Sequence, residues 1–289
     1  MQCSSGSRLP LEAAAVTHDD RNVLYASAAC APNTNLQLHN FGTGSDASVQ
    51  LSGGSTSSVR GTTMDVDVVM TLTDLNTLKL LPTLCKRITG TDCWIRMTSQ
   101  FVQDASTNAV VAIVDDPSLL AANRAGSVTL DTTSSVLENF RLNMNTAVLT
   151  LTFDEPIHPL TLTPTAITLA SDGSGAPAAS HTLTGGTIQT ATDGIAVSLL
   201  LTVADMVKIK AFGTLAVSAQ TTWLSGTTSL IQDLRDNQNA AVSATQASGF
   251  TADSTAPRLR HSRSSTPIWA PCSYPSLSLS TWPPLFMHP

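Results

Sequence analysis

Alternating apolar and small polar residues dominate the central part of the chain. Between Ile195 and Val203, and again between Met64 and Leu72, every second residue is apolar. A period of two is typical of a β-strand with one buried face. A slip of one residue would turn the whole apolar set outward, so the pattern also predicts which face is buried.

Further short apolar runs lie on both sides of the second of these strands. Turn residues separate them, notably Gly185-Gly186 and Asp193-Gly194. About seven short strands in about 125 residues favour an antiparallel β-sandwich. The additional predicted strands are Ala147–Phe153, Ala166–Leu169, His181–Thr184, Trp223–Gln232 and Ala240–Ala244. The residues expected to be buried are Leu149, Leu151, Phe153, Val197, Leu199 and Leu201.

The pattern occurs twice, with an offset of about 131 residues, which indicates an internal repeat. The matched segments keep their order along the chain. In that order they are Leu51–Gly54 with Leu183–Gly186, Thr71–Lys79 with Thr202–Lys210, Trp94 with Trp223, Val102–Asp104 with Ile231–Asp233, and Val128–Thr133 with Phe250–Thr255.

One short helix is expected in each copy. Thr71 and Thr202 each stand three residues before an aspartate, Asp74 and Asp205, as in a capping box. The apolar positions that follow keep a spacing of three and end at Leu81 and Phe212. A metal-ligand role for the two aspartates is the alternative, but a helix cap explains their position.

No segment before residue 31 resembles Leu149–Pro156, so the first copy is predicted to be incomplete. The end of the chain is rich in proline and serine without a period, which predicts disorder. We therefore expect four segments: an irregular segment at 1–30, an incomplete repeat at 31–130, a complete repeat at 131–256 and a disordered tail at 257–289.

Composition excludes several classes of function. Charged residues make up 12% of the chain and the net charge is −6, which argues against a nucleic-acid footprint of lysine and arginine. The sequence contains no run of about 18 apolar residues, the length that a membrane-spanning helix needs. Residues 1–20 contain no visible secretory signal.

Short motifs of the second copy resemble those of a known family. They are Asp131-Thr-Thr, Phe153-Asp154-Glu155-Pro156, Asp233 followed by Asn237, and Asp253-Ser-Thr-Ala-Pro257. The sequence resembles the tandem Ig-like repeats of large surface and adhesion proteins of bacteria and protists. That resemblance implies an extracellular or cell-surface array with a structural or adhesive role, whose partners are neighbouring repeats, a surface protein or a glycan. Asp236 stands where the family usually has glycine.

Catalytic patterns are absent from the sequence. It contains no G-x-S-x-G, H-E-x-x-H, C-x-x-C or P-loop pattern. His181 stands where the first copy has Val49, which is typical of a strand residue rather than a base. Asp154 and Glu155 are adjacent in a predicted strand, so their side chains point to opposite faces. We therefore expect no enzyme activity.

The alternative to a structural or adhesive role is a ligand-binding module, for carbohydrate or calcium, of a receptor or secreted enzyme. Calcium prefers carboxylate and carbonyl oxygens, and domain junctions can supply them. The candidate ligands are Asp104, Asp131, Asp154, Glu155, Asp233 and Asp253. Equally, these residues could cap turns by bonding backbone N–H groups. Trp94 and Trp223 could form a glycan platform, but we expect them to pack against the core.

Two cysteines predict a disulfide in the first copy. Cys85 and Cys93 correspond to Ala216 and Thr222, so both are replaced together in the second copy. A bonded pair would be lost in this way, whereas two independent thiols need not be. A Cys85–Cys93 bond would indicate an oxidising compartment.

Overall fold

The computed structural model describes residues 24–25, 34–40, 47–58, 66–104, 107–114 and 123–256. The predicted disordered tail at 257–289, and nearly all of the segment 1–30, lie outside these residues. The described residues up to Asp253 belong to one compact unit, and a second unit starts at Ser254. Below, the first region means the described residues up to 130, and the second region means residues 131–253.

The described chain is mainly β-structure, with two α-helices and three short 3-10 turns. In the first region the elements are β1 Leu24–Tyr25, β2 Leu36–His39, β3 Ser48–Gln50, β4 Ser55–Ser58, β5 Val66–Val69, α1 Leu72–Leu80, β6 Trp94–Met97 and β7 Gln103–Asp104. In the second region they are β8 Leu137–Asn143, β9 Val148–His158, β10 Ile167–Ala170, β11 Ser180–Thr182, β12 Gly186–Ile188, β13 Gly194–Leu201, α2 Val203–Ala211, β14 Trp223–Gly226, β15 Gln232–Asp233, β16 Val242–Gln246 and β17 Gly249–Thr251. The 3-10 turns are Pro159–Thr161, Pro164–Ala166 and Ala219–Thr221.

The second region contains two sheets. One has the strand order β11-β10-β14-β16, and the other has the order β12-β13-β9-β8-β17, with β15 also paired to β9. The described pairs are antiparallel except for β17 with β8, which is parallel. The prediction of wholly antiparallel sheets is therefore wrong at this pair, where the last strand returns beside the first.

The pairings of the first region follow those of the second. Strands β3-β2-β6 form one sheet in the order of β11-β10-β14, and β4 pairs with β5 as β12 pairs with β13. Strand β1 pairs with β7 in the register Leu24 to Asp104, as β9 pairs with β15 in the register Ile157 to Asp233. Strand β1, inside the segment predicted to be irregular, is thus the counterpart of the end of β9.

One buried cluster of the second region draws residues from both of its sheets. Leu149, Leu151, Phe153, Val197 and Leu199 are 0% exposed and Leu201 is 4% exposed, which confirms the predicted buried set. Ile167, Leu169 and Leu224 from the other sheet belong to the same cluster. The core of the first region is a smaller cluster that includes Leu36, Leu38 and Leu84.

Three details differ from the predicted elements. The predicted strand Trp223–Gln232 is two strands, β14 and β15, separated by a turn in which the Leu230 N–H donates to the Thr227 carbonyl. The alternation also ends earlier than expected: Val203 is 81% exposed because it is the first residue of α2, and Ile195 is 44% exposed at a bulge. Phe212 is the C-cap of α2 and is 44% exposed rather than buried.

Both predicted helix caps are confirmed. The Thr71 side chain accepts from the Asp74 N–H, and the Thr202 side chain accepts from the Asp205 N–H. Each aspartate is buried and accepts hydrogen bonds from a residue just after an earlier strand: Asp74 accepts from Ser52, which follows β3, and Asp205 accepts from Thr184, which follows β11. The two carboxylates therefore connect the start of each helix to the segment that follows an earlier strand.

Candidate functional site at the junction of the two regions

Lys79 lies at the centre of the contact between the two regions. It occupies the last turn of α1, which Pro82 follows shortly after the helix ends. Its ammonium forms an ion pair with Asp131 Oδ2 at 2.7 Å and a second with Glu155 Oε2. A single cation of the first region thus binds two carboxylates at the start of the second.

An irregularity in β9 places Glu155 at this site. The pairing of β9 with β8 ends at Phe153, and its register with β13 shifts between Thr152 and Ile157. Pro156 lies in this gap and has no N–H to donate, which suits a bulge rather than a regular ladder. Beyond it, β9 pairs with β15. Glu155 therefore lies where β9 changes partners.

Asp131 and Asp233 complete an acidic cluster with Glu155. One oxygen of each of the three carboxylates lies within 4.8 Å of the others. Asp131 Oδ1 accepts from the Thr133 N–H at 3.0 Å. Asp233 Oδ1 accepts from the N–H groups of Arg235 and Asn237, and its Oδ2 accepts from Asn237 Nδ2 at 2.8 Å. These are the turn-capping contacts that were the predicted alternative to calcium.

Burial and charge shift the pKa values of the cluster. Burial raises the pKa of Glu155 to about 7, against the opposing effect of Lys79. Burial also opposes ionisation of Asp131, but the hydrogen bonds from Lys79 and Thr133 outweigh it and lower the pKa of Asp131. Desolvation alone would lower the pKa of Lys79, yet its bonds to Asp131 and Glu155 raise it. The ammonium is therefore held charged.

Hydrogen bonds from side chains to backbone carbonyls also join the two regions beside the ion pairs. Asn76 Nδ2 donates to the Asp154 carbonyl at 2.9 Å, and Arg235 Nη2 donates to the Lys86 carbonyl at 3.2 Å. Lys86 Nζ donates to the carbonyls of Leu78 and Lys79 at the end of α1. Burial, with the nearby charge of Arg235, lowers the pKa of Lys86 to about 8.

The charged groups of the junction line a cleft of about 530 Å³. Its lining includes both charges, with two lysines and an arginine among the carboxylates. The cleft is therefore a mixed-charge junction rather than a pocket for one class of ion.

Three of the six candidate calcium ligands converge, namely Asp131, Glu155 and Asp233. Asp154 turns away from them, and its Oδ1 accepts from the Val136 N–H at 2.8 Å. Asp253 pairs with Lys210 instead, and Asp104 lies in β7 of the first region. Within the cluster Glu155 Oε1 is buried without a hydrogen-bond partner, whereas Lys79 binds the other oxygen.

The second region repeats half of the junction at its own end. Lys210, the counterpart of Lys79 in α2, pairs with Asp253 Oδ2 at 2.7 Å, the distance found between Lys79 and Asp131. The lysine and junction aspartate are thus kept in both regions. The glutamate contact exists only where a second region follows the helix.

The two histidines of the second region, His158 and His181, contact carboxylates. His181 lies in β11, as predicted for a strand residue, and its Nε2 lies 2.8 Å from the buried Asp205 Oδ1. Burial opposes ionisation of Asp205, but hydrogen bonds from His181, Thr202 and Thr184 outweigh it and lower its pKa. His158 Nδ1 lies 2.8 Å from Asp193 Oδ1 at the exposed rim of the cleft.

The Cys85–Cys93 disulfide is formed in the structure, with Cα atoms 4.5 Å apart. Inside its loop, Asp92 accepts from the N–H groups of Lys86 and Arg87. The two matched tryptophans, Trp94 and Trp223, are only half-buried and lie outside both core clusters, so the prediction of core packing is wrong for them. Trp223 Nε1 donates to the Gln220 carbonyl at 2.9 Å, and its ring covers Gly173.

Lys79 is the residue that sequence reasoning missed. A signal was present, because Thr71–Lys79 matches Thr202–Lys210 and places a lysine at the same position in both copies. The acidic residues were considered as metal ligands, whereas their cationic partner lay far from them in sequence. Pairing the two repeated features, lysine and junction aspartate, would have predicted the ion pair.

The chain matches no protein-family model, no curated protein and no solved structure. Neither described helix has the length and apolar character to cross a membrane. Function is therefore inferred from the geometry of the junction and from the sequence.

Proposed function

We propose that this chain is a non-catalytic structural or adhesive segment of an extracellular or cell-surface protein. It consists of two tandem Ig-like β-sandwich repeats whose junction holds them in a fixed arrangement. The observation that carries the proposal is the binding of Lys79, at the end of α1, to Asp131 and Glu155 of the next repeat.

The order of strand pairings supports the repeat assignment. The sheets β3-β2-β6 and β4-β5 have counterparts in β11-β10-β14 and β12-β13, and each region has one helix after the equivalent strand. In the second region, residues from both sheets share one buried cluster, as the two layers of a sandwich do. The similarity of sequence motifs to Ig-like surface repeats supports the same interpretation.

The chemistry of the junction supports a structural role. Its carboxylates bind a lysine and backbone N–H groups. These contacts hold the two regions together and do not present an acid or a base to a substrate. The Cys85–Cys93 bond supports an oxidising, extracellular location. Partners of this segment would be adjacent repeats, or a surface protein or glycan.

Residual dipolar couplings test the proposal, because they report the relative orientation of the two regions. In the wild-type chain we expect both regions to fit one alignment tensor. Lys79→Ala should require two tensors, since it removes the cation shared by Asp131 and Glu155. Lys210→Ala is the matched control and should keep a single tensor, because Lys210 pairs within its own region. Independent alignment of the wild-type regions would contradict the proposal.

A calcium-binding module is the second candidate, favoured by the buried, unpartnered Glu155 Oε1. In this case Ca²⁺ would bind Asp131, Glu155 and Asp233 and displace the Lys79 ammonium. Calorimetric titration of the whole chain with Ca²⁺ separates the candidates. Heat that disappears in Glu155→Gln supports the module, and no heat at millimolar Ca²⁺ supports the lysine-bridged junction.

A further inference from the structure

The surface formed by α2 and the residues that follow it is exposed, whereas the corresponding surface of α1 contacts the second region. In the first region Asn76, Lys79 and Lys86 contact the second region and are half-buried. Their counterparts, at the offset of 131 residues, are Val207, Lys210 and Val217. Val207 is 60% exposed and Val217 is 55% exposed. The Lys210 side chain is 44% exposed, against 20% for Lys79.

This face is more apolar than its counterpart on α1. Two positions that carry Asn76 and Lys86 in the first region carry valine in the second, and Phe212, at the C-cap between them, is 44% exposed. Grouped exposed apolar side chains are typical of an interaction surface. The single cation within the group, Lys210, pairs with Asp253 as Lys79 pairs with Asp131.

We propose that the face formed by Val207, Lys210, Phe212 and Val217 is a docking surface for a further β-repeat that presents a glutamate to Lys210, as β9 presents Glu155 to Lys79. The proposal rests on the function proposed above, since the junction inside this chain supplies the geometry. At the new junction, Val207 and Val217 would be buried against the partner. At the first junction, the same positions make hydrogen bonds through Asn76 and the Lys86 carbonyl.

Charge selects the partner. A glutamate must stand two residues before the position of Ile157, where β9 carries Glu155. The register of β1 with β7 makes Leu24 the counterpart of Ile157, and in the sequence Asn22 and Arg21 stand where the second repeat has Glu155 and Asp154. The first repeat of a second copy therefore lacks the required acid. The partner is a repeat of the acidic type, with an Asp-Glu-Pro strand.

Lysine acetylation of an extended chain tests the proposal. The extended chain repeats residues 132–253 directly after Asp253, so that Asp253 takes the place of Asp131 at a new junction. A small amine-reactive ester, read out by peptide mass spectrometry, measures how fast each lysine reacts. In the native chain we expect Lys79 to react more slowly than Lys210. In the extended chain, Lys210 should slow to the rate at which Lys79 reacts in the native chain.

Two variants of the extended chain identify the cause of the protection. Glu155→Gln in the inserted copy alone removes the new acceptor, and Val207→Lys places a repelling charge on a position that is exposed in the native chain. Each should restore the fast reaction of Lys210. Lys208, exposed on the same helix, is the internal reference and should react equally in all chains.

Each outcome bears on one proposal. An unprotected Lys210 in the extended chain, with Lys79 still slow, overturns the docking surface and leaves the proposed function standing. A Lys210 that is already as slow as Lys79 in the native chain also overturns it, because another part of the chain then covers the face. If Lys79 reacts as fast as Lys208, the junction itself is absent and the proposed function fails.

Discussion

The two regions of this chain have the same order of elements but are held together differently. The second region has a large buried cluster with residues from both of its sheets. Its long strand β9 is the central strand of the larger sheet. Among the residues that the structure describes, the first region has two paired residues, Leu24 and Tyr25, in the place of that strand, and a smaller buried cluster. It carries a disulfide that the second region lacks. One pattern of strands can therefore be stabilised by a core or by a covalent bond.

The largest expected difference between the regions concerns their cores. Leu199 of β13 is 0% exposed, so Leu199→Ala should lower the free energy of unfolding by about 2–5 kcal/mol. Val68 is its counterpart in β5 and is only half-buried, so Val68→Ala should lower it by about 1 kcal/mol. Chemical denaturation of both variants measures the difference. Equal losses would contradict the contrast between the two cores.

Removal of the disulfide should affect the first region next most strongly. The second region provides the substitution, because its equivalent turn contains Ala216 and Thr222 and keeps a similar backbone: φ is 52° at Cys85 and 54° at Ala216. Replacing Cys85 by Ala and Cys93 by Thr should lower the free energy of unfolding by about 2.5 kcal/mol. Hydrogen exchange should become faster in the first region and stay unchanged in the second. Reduction of the wild-type protein should reproduce the effect, and a variant as stable as the oxidised protein would contradict it.

The junction should give the stability a dependence on pH. The pKa of Glu155 is raised to about 7 in the folded chain from 4.5. Folding therefore favours the protonated form, so this contribution to stability is full below pH 4.5 and is lost as the pH rises through about 7. Glu155→Gln cannot ionise and should remove this loss, which urea denaturation at a series of pH values measures.

The exposed Glu138 of β8 offers a matched control for the pH effect. The variant Glu138→Gln should keep the pH dependence of the wild type. If Glu155→Gln shows the same slope as the wild type between pH 5 and 8, the glutamate is not the group responsible.

The smallest expected effects are at two equivalent turns. Thr107 and Asp236, three residues after Asp104 and Asp233, have φ values of 68° and 62°. Glycine adopts this left-handed conformation without the strain that a side chain imposes. Thr107→Gly and Asp236→Gly should each raise the free energy of unfolding by less than about 1 kcal/mol. A small rise in melting temperature measures the gain. The gain should be larger for threonine, because it is β-branched. Thr129→Gly, at a position without positive φ, should give no gain.

The sequence predicted those elements in which local pattern and burial agree. Strand β13 has a clean alternation because only one of its faces is buried. The helices begin directly after Thr71 and Thr202 because each threonine is an N-cap with an aspartate three residues later. Strands β12 and β17, of three residues each, are too short to show a period. The turn after β14 was missed because Leu230 and Ile231 are buried there like strand residues.

The candidate site was predicted only in part for a related reason. Asp131, Glu155 and Asp233 were recognisable as acidic residues near a boundary, and three of the six candidates do converge. Their cation, Lys79, is more than fifty residues away in sequence from the first of them, so proximity along the chain could not reveal it. Asp236 has a left-handed backbone, a conformation that glycine adopts without strain and that the sequence pattern did not predict for an aspartate.

The disulfide also determines how the chain would extend under a pulling force. Cys85 and Cys93 are eight residues apart in sequence but 4.5 Å apart between their Cα atoms. Eight residues of free chain would span about 27 Å when stretched, so the intact bond prevents most of that extension when the first region unfolds. In a single-molecule pulling record, the first region would therefore lengthen by a shorter step than its number of residues implies, and reduction would release the remaining length.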